Sequence, residues 1–112
     1  GGKMTGANYL ESGQGMSEVL VMAGEKKAYT LTDRATWLTM RKKLDLVLLY
    51  QNPPELKNSY AVIAVSNAKV PTAKTELAKT FVEWVTSPAA QSLIASYTLE
   101  GDTLFYLSVG KR

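Results

Sequence analysis

The chain has 112 residues, 46% of them hydrophobic and 21% charged, which is typical of a single globular domain. It contains no cysteine and no histidine, which excludes disulfides, thiol nucleophiles, a Ser-His-Asp triad and a zinc centre built from the usual ligands. The net charge is only +3 and the basic residues are scattered, so we expect no nucleic-acid partner, although this balance suits an anionic small molecule.

No leader or membrane segment is recognisable in the sequence. No run of about 18 apolar residues occurs, so we expect no transmembrane helix. The chain starts with GGKMTG rather than with a basic segment followed by an apolar one, so we expect no signal peptide within it. A mature chain or a fragment would look the same, and the compartment therefore stays open at this point.

The first predicted helix begins at a glycine-bracketed turn. Residues 11–18 read ESGQGMSE, and from Met16 to Ala23 the apolar residues recur with helical spacing. We expect Gly24 to end this helix, because glycine is common just after a helix. The Gly-x-Gly pattern lacks the third glycine of a dinucleotide fingerprint, and no Walker sequence occurs. A plain helix cap without a ligand is therefore an alternative that stays open.

A strand is predicted to run directly into a second helix at AYTLTDR, residues 28–34. Residues 29–31 suit a strand because aromatic and β-branched side chains fit a pleated surface. Thr32 or Asp33 suits the N-cap of a helix over residues 33–43. Such a junction presents free backbone N–H groups and the positive end of a helix dipole, which together favour an anion.

Arg34 lies in the first turn of this second helix, where a cation opposes the helix dipole. The sequence leaves two explanations open: pairing with Asp33 or Glu18, or a role in holding an anion. Residues 41–43 (RKK) lie instead at the end of the same predicted helix, where cations are favoured. We interpret them as a solvated helix end.

The rest of the chain alternates apolar runs with helices, which indicates an α/β protein. Two nearly continuous apolar runs, residues 44–50 and 60–66, are predicted as buried strands. Between them, residues 51–55 (QNPPE) contain two prolines and cannot join a central sheet. Helices over residues 73–86 and 88–97 and a last strand over residues 104–109 complete the predicted order. Each side of the proline connector has too few strands for a doubly wound sheet, which suggests a fragment of a larger protein.

Five stretches of the sequence resemble one family of binding proteins. They are SGQGM (12–16), AYTLTDRATW (28–37), LDLVLL (44–49), NSYAVIAV (58–65) and FVEWVTSPAAQ (81–91). Together they look like the C-terminal half of a tungstate-binding protein, the solute-binding component of a tungstate ABC transporter. That family belongs to the type II periplasmic binding proteins. The resemblance runs from about Tyr9 onward, and GQGM and AYTLTDR are its most specific parts.

The resemblance implies an α/β fold of two lobes that close on a tetrahedral oxyanion. Residues 1–50 would then be the later part of the second lobe, residues 51–59 the crossover connector, and residues 60–112 the returning part of the first lobe. The chain is therefore expected to be a fragment of this fold. The family's N-terminal anion loop and a further arginine are not among these residues. We expect exposed strand edges that pair with the missing N-terminal half or with a second chain.

The resemblance and the junction chemistry agree on where an oxyanion binds, because ligands of open α/β sheets lie beyond the carboxyl ends of strands. The expected ligand groups are the backbone N–H groups of Gly15 and Met16 and the side chains of Tyr29, Thr30 and Thr32, with Arg34 as a supporting charge. The expected ligand is tungstate, with molybdate as a second possibility. No catalytic residue and no cofactor are expected, and the only expected metal is the one inside the oxyanion.

The implied function is delivery of the oxyanion to the membrane permease of an ABC transporter, in the periplasm or at the outer cell surface. A sensory or regulatory module of the same fold, controlling a partner domain, is the alternative. An enzyme is disfavoured, because histidine and cysteine are absent and the acids Glu11, Asp33 and Asp45 are not paired by their spacing.

Overall fold

A computed structural model describes residue 2 and residues 4–107 of the chain. The chain divides into two compact units, Gly1–Leu49 and Tyr50–Arg112. The first unit contains α1 (Met16–Lys26), α2 (Arg34–Met40) and a 3₁₀ turn (Arg41–Lys43). The second contains a 3₁₀ turn (Pro54–Leu56), α3 (Thr75–Thr86), α4 (Pro88–Ser96), β1 (Thr98–Leu99) and β2 (Asp102–Thr103). Within the described residues, no helix has the length and apolar character that crossing a membrane requires.

Helix α1 supplies most of the core of the first unit. Leu20 is only 2% exposed and Ala23 is also buried, both on the face that the apolar spacing predicted. Leu38 of α2 is buried as well, and the two helices contact each other. The second predicted helix ends early, at Met40, and tightens into the 3₁₀ turn, as helix ends often do.

The prediction that Gly24 ends α1 is wrong. The helix continues beyond it, and Lys27 takes the left-handed conformation (φ 51°) that ends the helix. The Lys27 N–H donates to the carbonyl of Gly24 at 3.3 Å, and the N–H of Ala28 donates to that of Ala23 at 2.9 Å. These bonds satisfy carbonyls that a helix end leaves without a partner. Gly24 itself lies against Leu46, whose Cγ would be 3.8 Å from a Cβ at position 24.

Helices α3 and α4 are joined through Ser87. Its Oγ accepts a hydrogen bond from the Ala90 N–H at 3.3 Å and donates one to the carbonyl of Trp84 at 2.6 Å. One side chain therefore caps the start of α4 and the end of α3. Pro88 follows as the first residue of α4, where its missing N–H costs nothing, and this restart confirms the sequence prediction.

A two-residue turn connects the strands of the small antiparallel sheet. Thr98 lies opposite Thr103, and Leu99 lies opposite Asp102. The turn residues 100–101 both have positive φ, 52° and 86°, as tight hairpins require. Within the described residues, the last strand therefore ends at Thr103, before residue 104, where the sequence had predicted its start.

The predicted strands at residues 28–31, 44–50, 60–66 and 104–109 are wrong within the described part of the chain, since residues 28–31, 44–50, 60–66 and 104–107 form no ladder. Residues 108 and 109 lie outside the described residues. A strand needs a neighbour that pairs with its N–H and C=O groups, and the periodicity of one segment cannot show whether that neighbour is present. Val47 is 77% exposed and Ile63 is 82% exposed. The runs at residues 44–50 and 60–66 are therefore mostly exposed in this chain, whereas Leu104, in the last run, is buried.

Candidate functional site

In the described structure, helix α1 begins without a capping hydrogen bond to a side chain. The N-cap is Gly15, with φ −73° and ψ 174°, and in the described structure no side chain accepts a bond from the first turn at this cap. Gly13 has a φ of +63°, which favours glycine, and the Gln14 N–H donates to Ser12 Oγ at 3.2 Å. The predicted glycine-bracketed helix start is confirmed, and its first-turn N–H groups are left without a side-chain cap.

Helix α2 begins with a carboxylate cap. Of the two predicted N-cap candidates, Thr32 and Asp33, the structure selects Asp33. Its Oδ1 accepts from the Thr36 N–H at 2.8 Å, and its Oδ2 accepts from the Thr36 hydroxyl at 2.6 Å. Burial raises the pKa of the Asp33 carboxyl, but the hydrogen bonds, chiefly those from Thr36, outweigh burial and hold the pKa below its ordinary value.

This carboxylate changes the expectation for α2. The junction was expected to offer free N–H groups to an anion, yet the Thr36 N–H is bonded and the helix has only 7 residues. A negative charge already lies at the positive end of the α2 dipole. An anion at the start of α2 would therefore meet a carboxylate that already caps the helix, whereas no side chain caps the start of α1 in the described structure.

The side chain of Met16 joins the two helix starts. Its Sδ lies 3.6 Å from Thr32 Oγ1 and 3.3 Å from Asp33 N, and accepts weakly from both donors. Gly15 directly precedes Met16, and Arg34 directly follows Asp33. We call this place the helix-start junction, and four of the six predicted site residues belong to it: Gly15, Met16, Thr32 and Arg34. The sequence could not show the contact, because the partners are 16 and 17 positions apart.

Tyr29 and Thr30 lie on a separate small cavity of the first unit. The cavity has a volume of about 70 Å³, and its polar lining residues are Ser12, Lys26, Tyr29 and Thr30. Tyr29 is 89% exposed, and the Thr30 hydroxyl makes a long hydrogen bond of 3.5 Å to the Leu31 carbonyl. None of the four residues of the helix-start junction lines this cavity. The structure therefore does not bring all six predicted residues into one site.

Ser12 and Lys26 are the polar cavity residues that the sequence interpretation did not select. Lys26 is a cation in the last turn of α1, where it complements the helix dipole. The sequence could have placed Lys26 on this side of α1, because Val19, Ala23 and Lys26 follow the spacing of one helix face. For Ser12, the signal was weaker, since the residue belongs to an irregular segment.

In the second unit, an apolar groove of about 480 Å³ runs along α3. Its lining residues are mostly apolar, and the two polar ones are Lys74 and Thr75. The Thr75 hydroxyl already donates to the Val65 carbonyl at 2.7 Å, so the groove offers few of the convergent donors that an oxyanion needs. Within the described residues, no group of three or more His, Cys, Asp or Glu side chains is placed to hold a metal ion.

Comparison with known proteins decides the family. The PBP superfamily domain matches residues 2–89, most of the chain. The chain belongs to this superfamily. The expected fold class, an α/β periplasmic binding protein fold, is confirmed by this match, and the helices with a small sheet are compatible with part of that fold. The superfamily and the relatives below are binding proteins rather than enzymes.

Three curated relatives are similar over nearly the whole chain. The tungstate-binding protein TupA of Peptoclostridium acidaminophilum is 42% identical over 108 residues, covering 95% of this chain and 38% of that protein. The tungstate-binding protein TupA of Campylobacter jejuni is 34% identical over 108 residues, covering 93% of this chain and 40% of that protein. A putative ABC transporter anion-binding protein of Haloferax volcanii is 40% identical over 107 residues, covering 91% of this chain and 31% of that protein.

These relatives confirm the resemblance to tungstate-binding proteins. The chain spans about a third to two fifths of the length of the relatives that it matches. No solved structure matches it. The division into lobes at residues 1–50, 51–59 and 60–112 stays a prediction.

Proposed function

We propose that this chain is part of a protein that binds a tetrahedral oxyanion, tungstate or molybdate, and delivers it to the permease of an ABC transporter. The observation that carries the proposal is the similarity of nearly the whole chain to two tungstate-binding proteins. A third relative is described as an anion-binding protein of an ABC transporter. The complete protein would act in the periplasm or at the outer cell surface.

The proposed binding place is the helix-start junction. Its support is the contact between Met16 and Thr32 and the open cap at Gly15. Backbone N–H groups and hydroxyls are neutral donors, and each charge-assisted hydrogen bond to a dianion contributes about 1.5–3 kcal/mol. The Gly15 and Met16 N–H groups and the Thr32 hydroxyl are the proposed ligands, and Arg34 is the proposed supporting charge.

Tyr29 and Thr30 stay predictions, because the cavity that they line does not include the helix-start junction. The remaining donors of a closed site would come from sequence of the complete protein beyond this chain, or from a second chain. This proposal agrees with the relatives, which are longer than the part that the chain matches. It also agrees with the exposed apolar runs, which offer surface to further strands.

Thermal unfolding of the complete protein tests the proposed function. A ligand that binds only the folded state stabilises it by about 2.7 kcal/mol at 100 times its dissociation constant. Tungstate or molybdate is therefore expected to raise the melting temperature, and more than sulfate or phosphate at equal concentration. A melting temperature that none of the four anions moves would contradict oxyanion binding.

A further inference from the structure

The carboxylate of Glu18 folds back over the start of α1. Its Oε2 lies 2.9 Å from the position that a Cβ on Gly15 would occupy. The φ of Gly15 is −73°, which any residue adopts, so glycine here provides room for Glu18 rather than an unusual backbone conformation. Glu18 lies in the first turn of α1, where the helix dipole stabilises a negative charge.

We propose that Glu18 is an internal competitor of the oxyanion, which binds at the start of α1 only after this carboxylate has moved away. The inference rests on the proposed function, because it concerns the same site. The Glu18 carboxylate and an oxyanion both gain from the same dipole, and like charges brought close together repel each other. Glu18 therefore lowers the affinity of the site.

Glu18 differs in this respect from the other carboxylate of the helix-start junction. Asp33 is held by two hydrogen bonds from Thr36, at 2.8 and 2.6 Å, and stays in place as a cap. Glu18 is exposed, and its flexible side chain can turn into water at little cost. Displacement by an anion is thus expected for Glu18 and not for Asp33.

The charge of the anion separates repulsion from a structural effect. Tungstate is a dianion, whereas perrhenate is a monoanion of the same tetrahedral shape and closely similar size. Repulsion by Glu18 scales with the charge of the anion. Removing that charge should therefore increase the affinity for tungstate more than the affinity for perrhenate, whereas a change in helix packing would alter both equally.

The test is a calorimetric titration of the complete protein with tungstate, and with perrhenate in competition, for the wild type, Glu18→Gln and Glu25→Gln. Glu25 is an exposed residue near the other end of α1. Its variant therefore changes the net charge by the same amount as Glu18→Gln, but at a position far from the site. We expect Glu18→Gln to bind tungstate about five-fold more tightly, with a smaller gain for perrhenate and with Glu25→Gln close to the wild type.

An affinity of Glu18→Gln that equals that of Glu25→Gln, or that rises equally for both anions, overturns the inference and leaves the proposed function standing. If perrhenate does not bind, the comparison with Glu25→Gln decides alone. A wild-type protein that binds no tungstate overturns the proposed function and this inference together.

Discussion

Helices α1 and α2 begin in opposite ways. The first starts at Gly15 with no side-chain cap in the described structure, and the second starts at Asp33, whose carboxylate accepts two bonds from Thr36. A helix start in a sequence therefore does not by itself mark an anion site, because a capping carboxylate takes the place that an anion would take. The start of α1 keeps its donors, with Glu18 as a displaceable neighbour.

Of the substitutions that test this comparison, Leu20→Ala is expected to change the stability most, because Leu20 is the most buried large side chain of α1. The cavity left in the core should lower the free energy of unfolding by about 2–5 kcal/mol, measured by urea unfolding of the complete protein. Val21→Ala, at the next position and 39% exposed, is the control, with an expected loss of less than about 1 kcal/mol. Equal losses would contradict the assignment of the core face.

Gly13→Ala sharpens the account of how α1 begins. A φ of +63° is strained for alanine, so we expect a loss of about 1–2 kcal/mol in thermal unfolding. Gly15→Ala should cost less, since its φ is ordinary and the Glu18 carboxylate that it meets can turn away. A larger loss at Gly15 than at Gly13 would show that Glu18 is held in place.

Asp33→Ala removes the feature that sets α2 apart, and we expect a loss of about 1 kcal/mol at neutral pH from the missing cap. Because the pKa of Asp33 is lowered on folding, its ionised form stabilises the folded state above the unfolded pKa, roughly 4, and this stabilisation is lost as the pH falls through the folded pKa. The difference between wild type and variant should therefore shrink towards about pH 3. Urea unfolding at neutral pH and at about pH 3 measures the difference in free energy of unfolding between wild type and variant. If this difference does not depend on pH, the cap is not a charged carboxylate.

The features that the sequence predicted correctly depend on neighbours along the chain. The apolar face of α1, a helix cap at Thr32 or Asp33 and the restart of the helix at Pro88 each follow from residues within one or two turns, and the structure selects Asp33 as the cap. Gly24 is an exception, because Lys27 rather than a glycine takes the left-handed conformation that ends α1.

The features that the sequence predicted wrongly depend on distant partners. The apolar runs at residues 44–50 and 60–66 have the composition of buried strands, but a ladder forms only where a second strand is available. The contact of Met16 with Thr32, which the sequence could not show, also joins residues far apart in the chain. The site itself stays a prediction, and Tyr29 and Thr30 line a cavity apart from the helix-start junction.

The central claim is that an oxyanion binds at the junction of the two helix starts. Calorimetric titration of the complete protein with tungstate, comparing the wild type with Thr32→Ala and Thr30→Ala, tests it most directly. We expect Thr32→Ala to weaken binding at least about ten-fold, with a smaller loss for Thr30→Ala and an unchanged melting temperature for both. Wild-type affinity in Thr32→Ala, or a loss confined to Thr30→Ala, would contradict a site at this junction.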